Sequence, residues 1–433
     1  MSNTQDYVQW FRGAAPYIKA HRNKTFVILV ADEVIFSDRF IGLVHDIALL
    51  NHLGIRLVLL HGSRKRIDAH LAKHGIDPAF HHGLRITDAA SLPLVVQAIS
   101  QVRTEFESHL SLGLPNTPMS GSELSLISGN FVTGMPLGVI DGVDMQHSGK
   151  VRDIKHEAIS DLLELNHVIL LSHLGYSRTG EVFNLPAEEL ACEVAISLKA
   201  DKLVFIHQDL GEGVANPSSL STRDCENLLE QGEVADEMQG ILRQAIRAIQ
   251  SQVKRVHLID QQIDGGLLLE LFTRDGCGTL VTNLFYEGIR NAGIDDVGGI
   301  LSLIEPLEIS GILVPRSREQ LELEIAHFQV IEKDGMVIAC IACIPDADGE
   351  VAEIACLAVH DDYRRAGLGR QLLEVCERSA AKSGISRLYS LTTRSAHWFI
   401  EQGFSESAEF ELPPVRRENY NPERGSKILT KSL

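Results

Sequence analysis

The stretch Arg364-Arg365-Ala366-Gly367-Leu368-Gly369 decides how the last third of this chain folds. An apolar strand is predicted before it at 351–359, and an amphipathic helix after it at 370–379. Glycines in a turn that opens a helix let backbone N–H groups approach an anion, and the arginines add positive charge. The pattern therefore predicts a binding site for a phosphate-bearing ligand at the N-terminus of this helix.

The composition indicates a protein that binds small molecules. A chain of 433 residues with 44% hydrophobic residues can form two cores. A formal net charge of −18 argues against a nucleic-acid partner, which requires a basic surface. Seven irregularly spaced cysteines predict no disulfide framework. With no signal peptide and no membrane-spanning run in the sequence, we expect a cytoplasmic location.

Strands and helices alternate over the first two thirds of the chain. Strands are predicted at 25–29, 55–60, 168–172, 202–207 and 255–259, and helices at 40–53, 90–110, 188–198 and 237–249. This alternation predicts a mainly parallel sheet covered by helices on both faces, a three-layer α/β/α domain. We predict that this domain spans residues 1–286 and that a second domain spans 287–433.

The second domain resembles the GNAT acetyltransferase superfamily, whose signature is Arg/Gln-x-x-Gly-x-Gly/Ala. The strand before the loop, the helix after it, and a further strand and helix that end in Gly403-Phe404 carry the resemblance. It implies an α+β fold, acetyl-CoA as co-substrate and transfer of an acetyl group to an amine. It assigns acetyl-CoA binding to Leu357, Val359, Arg364, Arg365, Gly367, Gly369 and Arg370, with an oxyanion donor among the backbone N–H groups near Leu357 and Val359.

Acetyl transfer to an amine requires a base, an oxyanion donor and an acid for the leaving thiolate. Glu353, on the strand before the loop, is the candidate base, either directly or through water. The alternative is a solvated carboxylate without a catalytic role. GNAT enzymes often use a Tyr as the acid at the position that Phe399 occupies here, so Thr392 or Thr393 is expected to donate or to orient a water.

The cysteines suggest no metal cofactor. Cys340 and Cys343 form a C-x-x-C pattern inside an apolar strand, and no second ligand pair follows at zinc spacing. Direct acetyl transfer needs no nucleophile, so we interpret Cys356 as structural.

The first domain resembles the amino-acid kinase family, and acetylglutamate kinase in particular. The resemblance rests on the opening strand at 25–32 and on the segment 183–188. Leu29 stands where the kinases have a Lys, Ala31-Asp32 replaces a glycine pair, and Glu188 replaces the catalytic Asp. Missing donors and an added carboxylate at a phosphate site repel a nucleoside triphosphate. We therefore expect an inactive kinase domain.

The segment 267–279 resembles the arginine-sensing segment of arginine-inhibited acetylglutamate kinases. That resemblance assigns binding of L-arginine to Lys202, Glu270, Gly276 and Gly278. The alternative is an ordinary helix C-terminus followed by glycine caps. The N-terminal segment 7–21 resembles the helix that joins arginine-sensitive relatives into hexamers, although it could instead pack on its own domain.

The two halves together resemble the bacterial N-acetylglutamate synthase family, with segments 314–322, 391–399 and 420–427 as further support. The resemblance implies L-glutamate as acceptor and feedback inhibition by L-arginine. A dicarboxylate needs at least two cationic or multi-donor groups. The resemblance supplies Arg316, Arg424 and Ser426, with Arg416 and Lys427 as alternates.

Two other functions remain open from the sequence. One is a non-catalytic sensor that binds arginine and acetyl-CoA, although such a protein would have no use for a base at Glu353. The other is an acetyltransferase for a different amine, such as a protein N-terminus. The density of arginines near the expected pocket favours a dicarboxylate substrate.

Overall fold

The computed structural model describes residues 2–112, 121, 124–207, 219–232, 234–273, 275–282, 289–333, 336–364, 367–418 and 420–433. The chain divides into two compact units, Met1–Asn283 and Leu284–Leu433. The expected boundary at Glu287 lies outside the described residues. Within the described ranges, every helix is too short or too polar to cross a bilayer.

The first unit contains the alternating elements that the sequence predicts. Its helices are α1 (Ser2–His21), α2 (Asp32–Ile35), α3 (Phe40–His52), α4 (Arg64–Lys73), α5 (Leu92–Leu110), α6 (His156–Glu164), α7 (Ala187–Ser197), α8 (Thr222–Gln231), α9 (Asp236–Gln250) and α10 (Gly266–Phe272). Its strands are β1 (Thr25–Val30), β2 (Arg56–His61), β3 (Ala79–His81), β4 (Leu84–Ile86), β5 (Leu126–Ile127), β6 (Val132–Pro136), β7 (Val139–Ile140), β8 (Val143–Asp144), β9 (Gly149–Ile154), β10 (Val168–Leu171), β11 (Leu174–Tyr176), β12 (Val182–Asn184), β13 (Lys202–His207), β14 (Ser219–Leu220), β15 (Arg255–Asp260) and β16 (Thr279–Val281).

An eight-stranded sheet in the order β14-β16-β15-β13-β1-β2-β10-β5 forms the centre of this unit. Its paired strands are parallel except β15 and β16. Alternate residues of β1 enter two separate cores, with Val27 and Leu29 on one face and Phe26 and Ile28 on the other. Both faces are therefore covered by helices, and the predicted three-layer α/β/α architecture with a mainly parallel sheet is confirmed.

A second sheet, in the order β12-β11-β6-β9, and two small hairpins were not predicted from the sequence. Their strands are short, and most of their residues are only partly buried, as in β7 and β8. Such strands lack the continuous apolar runs that identify the strands of the large sheet. This region extends from the carboxyl edge of the large sheet and contributes to the cavity described below.

The second unit is built on one seven-stranded sheet in the order β17-β18-β19-β20-β21-β23-β22. Its strands are β17 (Ile289–Asn291), β18 (Phe328–Lys333), β19 (Met336–Pro345), β20 (Val351–Val359), β21 (Arg387–Thr392), β22 (Ser405–Ser407) and β23 (Lys427–Ser432). Its helices are α11 (Val297–Ile309), α12 (Arg318–Glu324), α13 (Leu368–Lys382), α14 (Ala396–Glu401) and α15 (Pro414–Glu418).

This sheet is antiparallel except where β20 meets β21. Helix α13 packs on one face through residues such as Leu372 and Leu373, and α11 packs on the other through residues such as Ile300 and Ile304. The predicted α+β architecture of the second unit is confirmed. The single parallel pair lies at its centre, on the strand that precedes the glycine loop.

Removing a side chain from the α13 core tests this packing. Leu372 is 0% exposed, so Leu372→Ala should lower the free energy of unfolding of the second unit by about 2–5 kcal/mol. Leu323→Ala on α12 is the control, because Leu323 is 86% exposed and its loss should cost less than about 0.5 kcal/mol. Urea unfolding followed through Trp398 fluorescence, in a Trp10→Phe background, measures both values. Equal midpoints for the two variants would contradict the packing.

Candidate active site

A β-bulge on β20 organises the candidate site. Ala342 of β19 faces Ala355, but Cys340 faces Ala358, so β20 carries one extra residue between these pairs. Cys356 lies at this point with a left-handed backbone, φ 48°. A bulge bends its strand and increases the local twist. The last residues of β20 therefore diverge from the line of the first ones.

Just before the bulge, β20 also separates from β21. The two strands pair at three positions, of which Glu353 opposite Tyr389 is the last. The N–H of His360 donates to Ile338 O of β19 at 2.8 Å. Because N–H directions alternate along a strand, those of Val359 and Leu357 point to the open side, toward β21. These two residues are the expected oxyanion and amide donors, and the bulge leaves their N–H groups facing a gap between strands.

The glycine loop leads into α13 as expected. Gly367 has φ 72°, a left-handed conformation that favours glycine, and no side chain caps the helix N-terminus among the described residues. The first N–H groups of a helix lack partners within it and attract anions. A Cβ added to Gly369 would lie 3.6 Å from the Trp398 ring, an ordinary contact, so Gly369 packs closely without being sterically required. The helix end is thus free to hold a phosphate group.

The loop arginines make local ion pairs. Arg364 lies 2.6 Å from Asp361, and Arg370 lies 2.9 Å from Glu374. Both side chains are exposed, and exposed pairs contribute little free energy, so either guanidinium can turn to a bound anion at small cost. Arg365 lies outside the described residues.

Glu353 forms a bidentate ion pair with Arg416 of α15. Arg416 donates from Nε to Oε2 at 2.8 Å and from Nη2 to Oε1 at 3.1 Å. The pair is partly buried, with 16% of the Glu353 side chain exposed. Burial, followed by the nearby Glu353 carboxylate, raises the pKa of Tyr389, which keeps its hydroxyl protonated. The carboxyl group at the point where the strands separate is therefore enclosed and held by an arginine.

Arg316 contacts β20 at Cys356, three residues after Glu353. One of its Nη atoms contacts the Sγ of Cys356, its Nε lies 3.4 Å from Glu324, and its backbone N–H donates to Glu308 at 3.0 Å. Burial raises the pKa of Cys356 to about 11 even though Arg316 opposes the shift, so the thiol is neutral at pH 7. The buried Nε has no hydrogen-bond partner among the described residues. Arg316 thus keeps donor capacity beside the bulge.

The other expected substrate ligands lie on the C-terminal segment. Arg424 donates from Nη2 to the carbonyls of Ile312 and Gly311, at 3.0 and 3.3 Å, in the loop that leads to Arg316. The carbonyl of Ser426 accepts from the Tyr420 hydroxyl at 3.1 Å. The structure connects Arg424 with the Arg316 loop through these contacts.

Lys427, one of the two alternates, forms an exposed ion pair with Glu406. Arg416, the other alternate, contacts the candidate base directly. Arg416 is therefore the better placed of the two.

The expected proton donors differ in what their hydroxyls do. Thr392 is buried, and its Oγ1 accepts the N–H of Ser395 at 2.9 Å, which fixes the turn into α14. The buried Oγ1 of Thr393 has no hydrogen-bond partner in the described part of the chain. Phe399 is 4% exposed and packs on Phe404, with ring centroids 5.2 Å apart. Of the two threonines, Thr393 is therefore the one whose hydroxyl makes no hydrogen bond within the described part of the chain.

A second cluster lies in the first unit around Glu270. Its Oε2 accepts the N–H groups of Cys277 and Gly278, each at 2.8 Å, and its Oε1 lies 2.6 Å from His257 Nδ1. Nζ of Lys202 lies 3.0 Å from Nε2 of the same imidazole. An ammonium can only donate, so Nε2 accepts from Lys202 and Nδ1–H donates to Glu270. The structure brings Lys202 and Glu270 together through His257.

The glycines of this cluster are sterically required. A Cβ at Gly276, where φ is 64°, would lie 2.3 Å from Glu270 Oε2, and one at Gly278 would lie 2.3 Å from Leu258 O. Burial lowers the pKa of His257 to about 4, so the ring is neutral at pH 7. We did not predict a role for His257 from the sequence. The pattern that could have indicated it is a histidine inside the apolar run of β15. Tyr389, a phenol on β21 opposite Glu353, was also missed.

The first unit also contains a cavity of about 1030 Å³ at the carboxyl edge of its large sheet. It is lined by residues such as Gly62, Arg85 and Glu188. Next to it, Asp32 Oδ2 accepts the N–H of Arg66 at 2.9 Å, in the first turn of α4. Burial raises the pKa of Asp32 well above its usual range. A carboxylate of the chain itself therefore occupies a helix N-terminus that could otherwise hold a phosphate.

Two family descriptions match separate parts of the chain. The amino acid kinase family matches residues 31–260, and the acetyltransferase (GNAT) family matches residues 302–404. These segments fall in the first and second units respectively.

Full-length relatives share both parts. The amino-acid acetyltransferases of Pseudomonas fluorescens (strain Pf0-1) and Azotobacter vinelandii (strain DJ / ATCC BAA-1303) are each 47% identical, over 99% of this chain and 100% of the relative. The crystal structure of N-acetylglutamate synthase from Neisseria gonorrhoeae complexed with coenzyme A and L-arginine is similar with a TM-score of 0.82 and 38% identity, covering 99% of both chains. The same synthase complexed with coenzyme A and N-acetyl-glutamate gives a TM-score of 0.62.

The two family matches are consistent with the amino-acid kinase and GNAT resemblances expected from the sequence. Since the likeness extends over the whole length of the curated relatives, the chain belongs to the amino-acid acetyltransferase family of enzymes, which join an amino-acid kinase-like domain to a GNAT acetyltransferase domain.

Proposed function

We propose that this enzyme transfers the acetyl group of acetyl-CoA to the α-amino group of L-glutamate, and so forms N-acetyl-L-glutamate and CoA. The observation that carries the proposal is the bidentate Glu353–Arg416 pair at the point where β20 and β21 separate. The similar synthase from Neisseria gonorrhoeae was solved with coenzyme A and with N-acetyl-glutamate, which supports both substrates. On this proposal, residues 1–286 regulate and residues 287–433 catalyse.

In this proposal acetyl-CoA enters the gap between β20 and β21. Its pyrophosphate binds the N-terminus of α13, which has no side-chain cap among the described residues, and replaces the exposed ion-pair partners of Arg364 and Arg370. Its amide and thioester oxygens accept the N–H groups of Leu357 and Val359. These donors are fixed by the bulge before any substrate arrives, so they stabilise the negative charge of the tetrahedral intermediate without reorganisation.

Glu353 removes a proton from the substrate ammonium, directly or through a water, and the neutral amine attacks the thioester carbonyl. Arg416 donates one hydrogen bond to each carboxylate oxygen, and each oxygen keeps a lone pair that can accept that proton. A carboxylate of glutamate is a suitable new partner for the guanidinium. Arg416 would thus hold the substrate beside the base, and Thr392 or Thr393 would direct a proton to the leaving thiolate.

Replacing the base tests this mechanism. Glu353→Gln keeps the size of the side chain but removes the proton acceptor, so kcat should fall about 10²- to 10⁴-fold with little change in the KM for acetyl-CoA. Glu350→Gln, at an exposed position before β20, should leave both constants unchanged. Thiol release with acetyl-CoA and a panel of amino acids measures them. A wild-type value of kcat in Glu353→Gln would mean that another group accepts the proton. If the wild-type protein itself showed no turnover, the protein would be a non-catalytic sensor instead of an enzyme.

The glutamate carboxylates are proposed to bind Arg316, Arg424 and Ser426, with Arg416 as a further ligand. Arg316 lies beside the bulge, where its buried Nε is 3.4 Å from the Glu324 carboxylate and makes no hydrogen bond within the described ranges. Arg424 is tied to the loop that leads to Arg316 by two carbonyl contacts. Two guanidinium groups connected through one loop match the two carboxylates of glutamate and would not match a simple amine.

Arg316→Ala should raise the KM for glutamate about 10- to 100-fold, because a charge-assisted hydrogen bond contributes about 1.5–3 kcal/mol. The KM for acetyl-CoA should not change. Arg318→Ala is the matched control, since that arginine is 69% exposed and pairs with Glu322. Steady-state kinetics with each substrate varied separately gives both constants. Equal increases in the KM for glutamate and the KM for acetyl-CoA would show that Arg316 is not a specific ligand of glutamate.

We further propose that L-arginine inhibits the enzyme by binding at Glu270, with Lys202, Gly276 and Gly278 around it. The Neisseria gonorrhoeae synthase was solved with L-arginine, which supports the effector. Glu270 Oε1 has one donor, His257, and so retains acceptor capacity for a cationic group. The steric limits at both glycines keep the turn close to this carboxylate. Inhibition at this site would reach the catalytic unit through a change in domain or subunit arrangement.

Glu270→Ala should abolish inhibition by L-arginine, with an increase in the half-inhibitory concentration of at least about tenfold. Because Glu270 is buried, Glu270→Gln tests the charge with less disturbance of its hydrogen bonds. Glu226→Gln, at an exposed position on α8, is the control. Activity without arginine and the melting temperature verify folding. If L-arginine inhibited both Glu270 variants as strongly as the wild-type enzyme, the arginine site would not be at Glu270.

The remaining properties follow the same proposal. Asp32 at the N-terminus of α4 leaves no room for a nucleotide phosphate there, which supports an inactive kinase domain. Val8, Trp10 and Phe11 of α1 are exposed apolar residues, which supports a hexamer joined through this helix. All seven cysteines are free thiols, as is usual in a reducing cytoplasm.

A further inference from the structure

Two hairpin tips of the first unit meet at its surface. His82 and Gly83 form the two-residue turn between β3 and β4, and Asp141 and Gly142 form the turn between β7 and β8. All four residues have left-handed backbones, with φ between 48° and 84°. Two-residue turns of this kind are tight and match the twist of their strands. Each tip is therefore held in a defined position by its own hairpin.

Three side chains with metal-binding atoms converge where the tips meet. Nε2 of His82 lies 2.8 Å from Asp141 Oδ2, and Nε2 of His81 lies 3.7 Å from the same oxygen. The two imidazole centroids are 4.2 Å apart. The three ligand atoms all lie within 4.8 Å of one another. Residues from two separate hairpins thus present two nitrogens and one oxygen to a single point.

One of these atoms contacts Asp141 at 3.7 Å without a hydrogen bond that would fix its position. Nε2 of His81 is buried and makes no hydrogen bond within the described residues. Its side chain is 23% exposed, whereas those of His82 and Asp141 are 65% and 70% exposed. A buried polar atom without a hydrogen bond costs free energy unless a ligand satisfies it. The pair formed by His82 and Asp141 alone does not account for the orientation of His81.

We propose that His81, His82 and Asp141 bind a divalent transition-metal ion such as Zn²⁺. Tetrahedral Zn²⁺ with bonds of about 2.0–2.1 Å holds its ligand atoms about 3.3 Å apart. The distances of 2.8 and 3.7 Å lie on either side of that value. Imidazole suits zinc, nickel, cobalt and copper, whereas magnesium and calcium prefer oxygen ligands. Water completes the coordination, and the ion takes no part in acetyl transfer.

One neighbouring cation opposes metal binding. Arg64 donates from Nη2 to the carbonyl of Gly83 at 3.3 Å, which brings its guanidinium to the same tip. This contact is exposed, so solvent screens the repulsion strongly. The negative charge of Asp141 offsets part of it. The site is therefore expected to bind an ion reversibly rather than to retain it through purification.

The ion would act as a clamp on this region. The two hairpins are already joined at their bases, where Thr87 O accepts the N–H of His147 and Ser148 Oγ accepts the N–H of Thr87, each at 2.9 Å. A metal at the tips adds a second connection between them. The β3–β4 hairpin forms part of the cavity wall, with Phe80 and His82 among the lining residues. Metal binding should therefore stabilise the first unit and fix this wall.

Titration of the full-length protein with Co²⁺ alone tests the proposal. A site of two imidazoles and a carboxylate gives visible ligand-field bands, whereas binding to any of the cysteines adds an intense sulfur-to-metal band in the near ultraviolet. We expect the visible bands without the sulfur band. Zn²⁺ alone should displace Co²⁺ and raise the melting temperature, because it binds the folded state preferentially.

His82→Asn and Asp141→Asn are suitable variants, because asparagine tolerates the left-handed backbone of these turns. Each should weaken Co²⁺ binding at least about tenfold and abolish the thermal shift by Zn²⁺. His70→Asn is the matched control, since His70 and His74 form a neighbouring histidine pair on α4 with centroids 5.1 Å apart.

Three results would overturn the proposal. They are a sulfur-to-metal band, unchanged affinity in both tip variants, or loss of binding in His70→Asn alone. Unaltered acetyltransferase kinetics in His82→Asn and Asp141→Asn would support a site separate from catalysis.

Discussion

The separation of β20 from β21 is the constraint on which the candidate active site depends. A parallel pair would normally continue to the ends of both strands, but here it stops at Glu353, just before the residue that Cys356 adds to β20. The bulge turns two backbone N–H groups into the gap. Glu353 lies at the closed end of this gap, at the last paired position, and Cys356 contacts Arg316. The donors, the candidate base and one substrate arginine thus derive their positions from a single irregularity.

The N-terminus of α4 in the first unit and that of α13 in the second differ in whether a side chain of the protein already binds there. In the first unit, the carboxylate of Asp32 fills the anion-binding end of α4. In the second, the N-terminus of α13 has no side-chain cap among the described residues, and its flanking arginines are held only by exposed ion pairs. Similar backbone geometry therefore has opposite consequences. One helix end is already satisfied by the chain, and the other is available to a ligand.

The buried polar groups at Glu270 and Glu353 share a further feature. Each carboxylate is bound by donors from the chain itself, His257 with two backbone N–H groups in one case and Arg416 in the other. A buried carboxylate without such donors would carry a large desolvation cost. A ligand of either carboxylate must therefore use the lone pairs that these donors leave unoccupied.

The sequence by itself determined the fold class, the order of the main elements and the glycine loop. Strands such as β13 and β20 were predicted with the same bounds that the structure has, because long apolar runs and periodic helices carry a local signal. The short, partly exposed strands between 79 and 154 carry no such signal and were missed.

Only the tertiary structure decided which side chains meet. Arg416 and Glu353 are 63 residues apart, Lys202 and Glu270 both contact His257, and the bulge at Cys356 depends on pairing with β19. Contacts between distant segments are set by strand register and by the packing of helices on the sheet. No local pattern in the sequence specifies them.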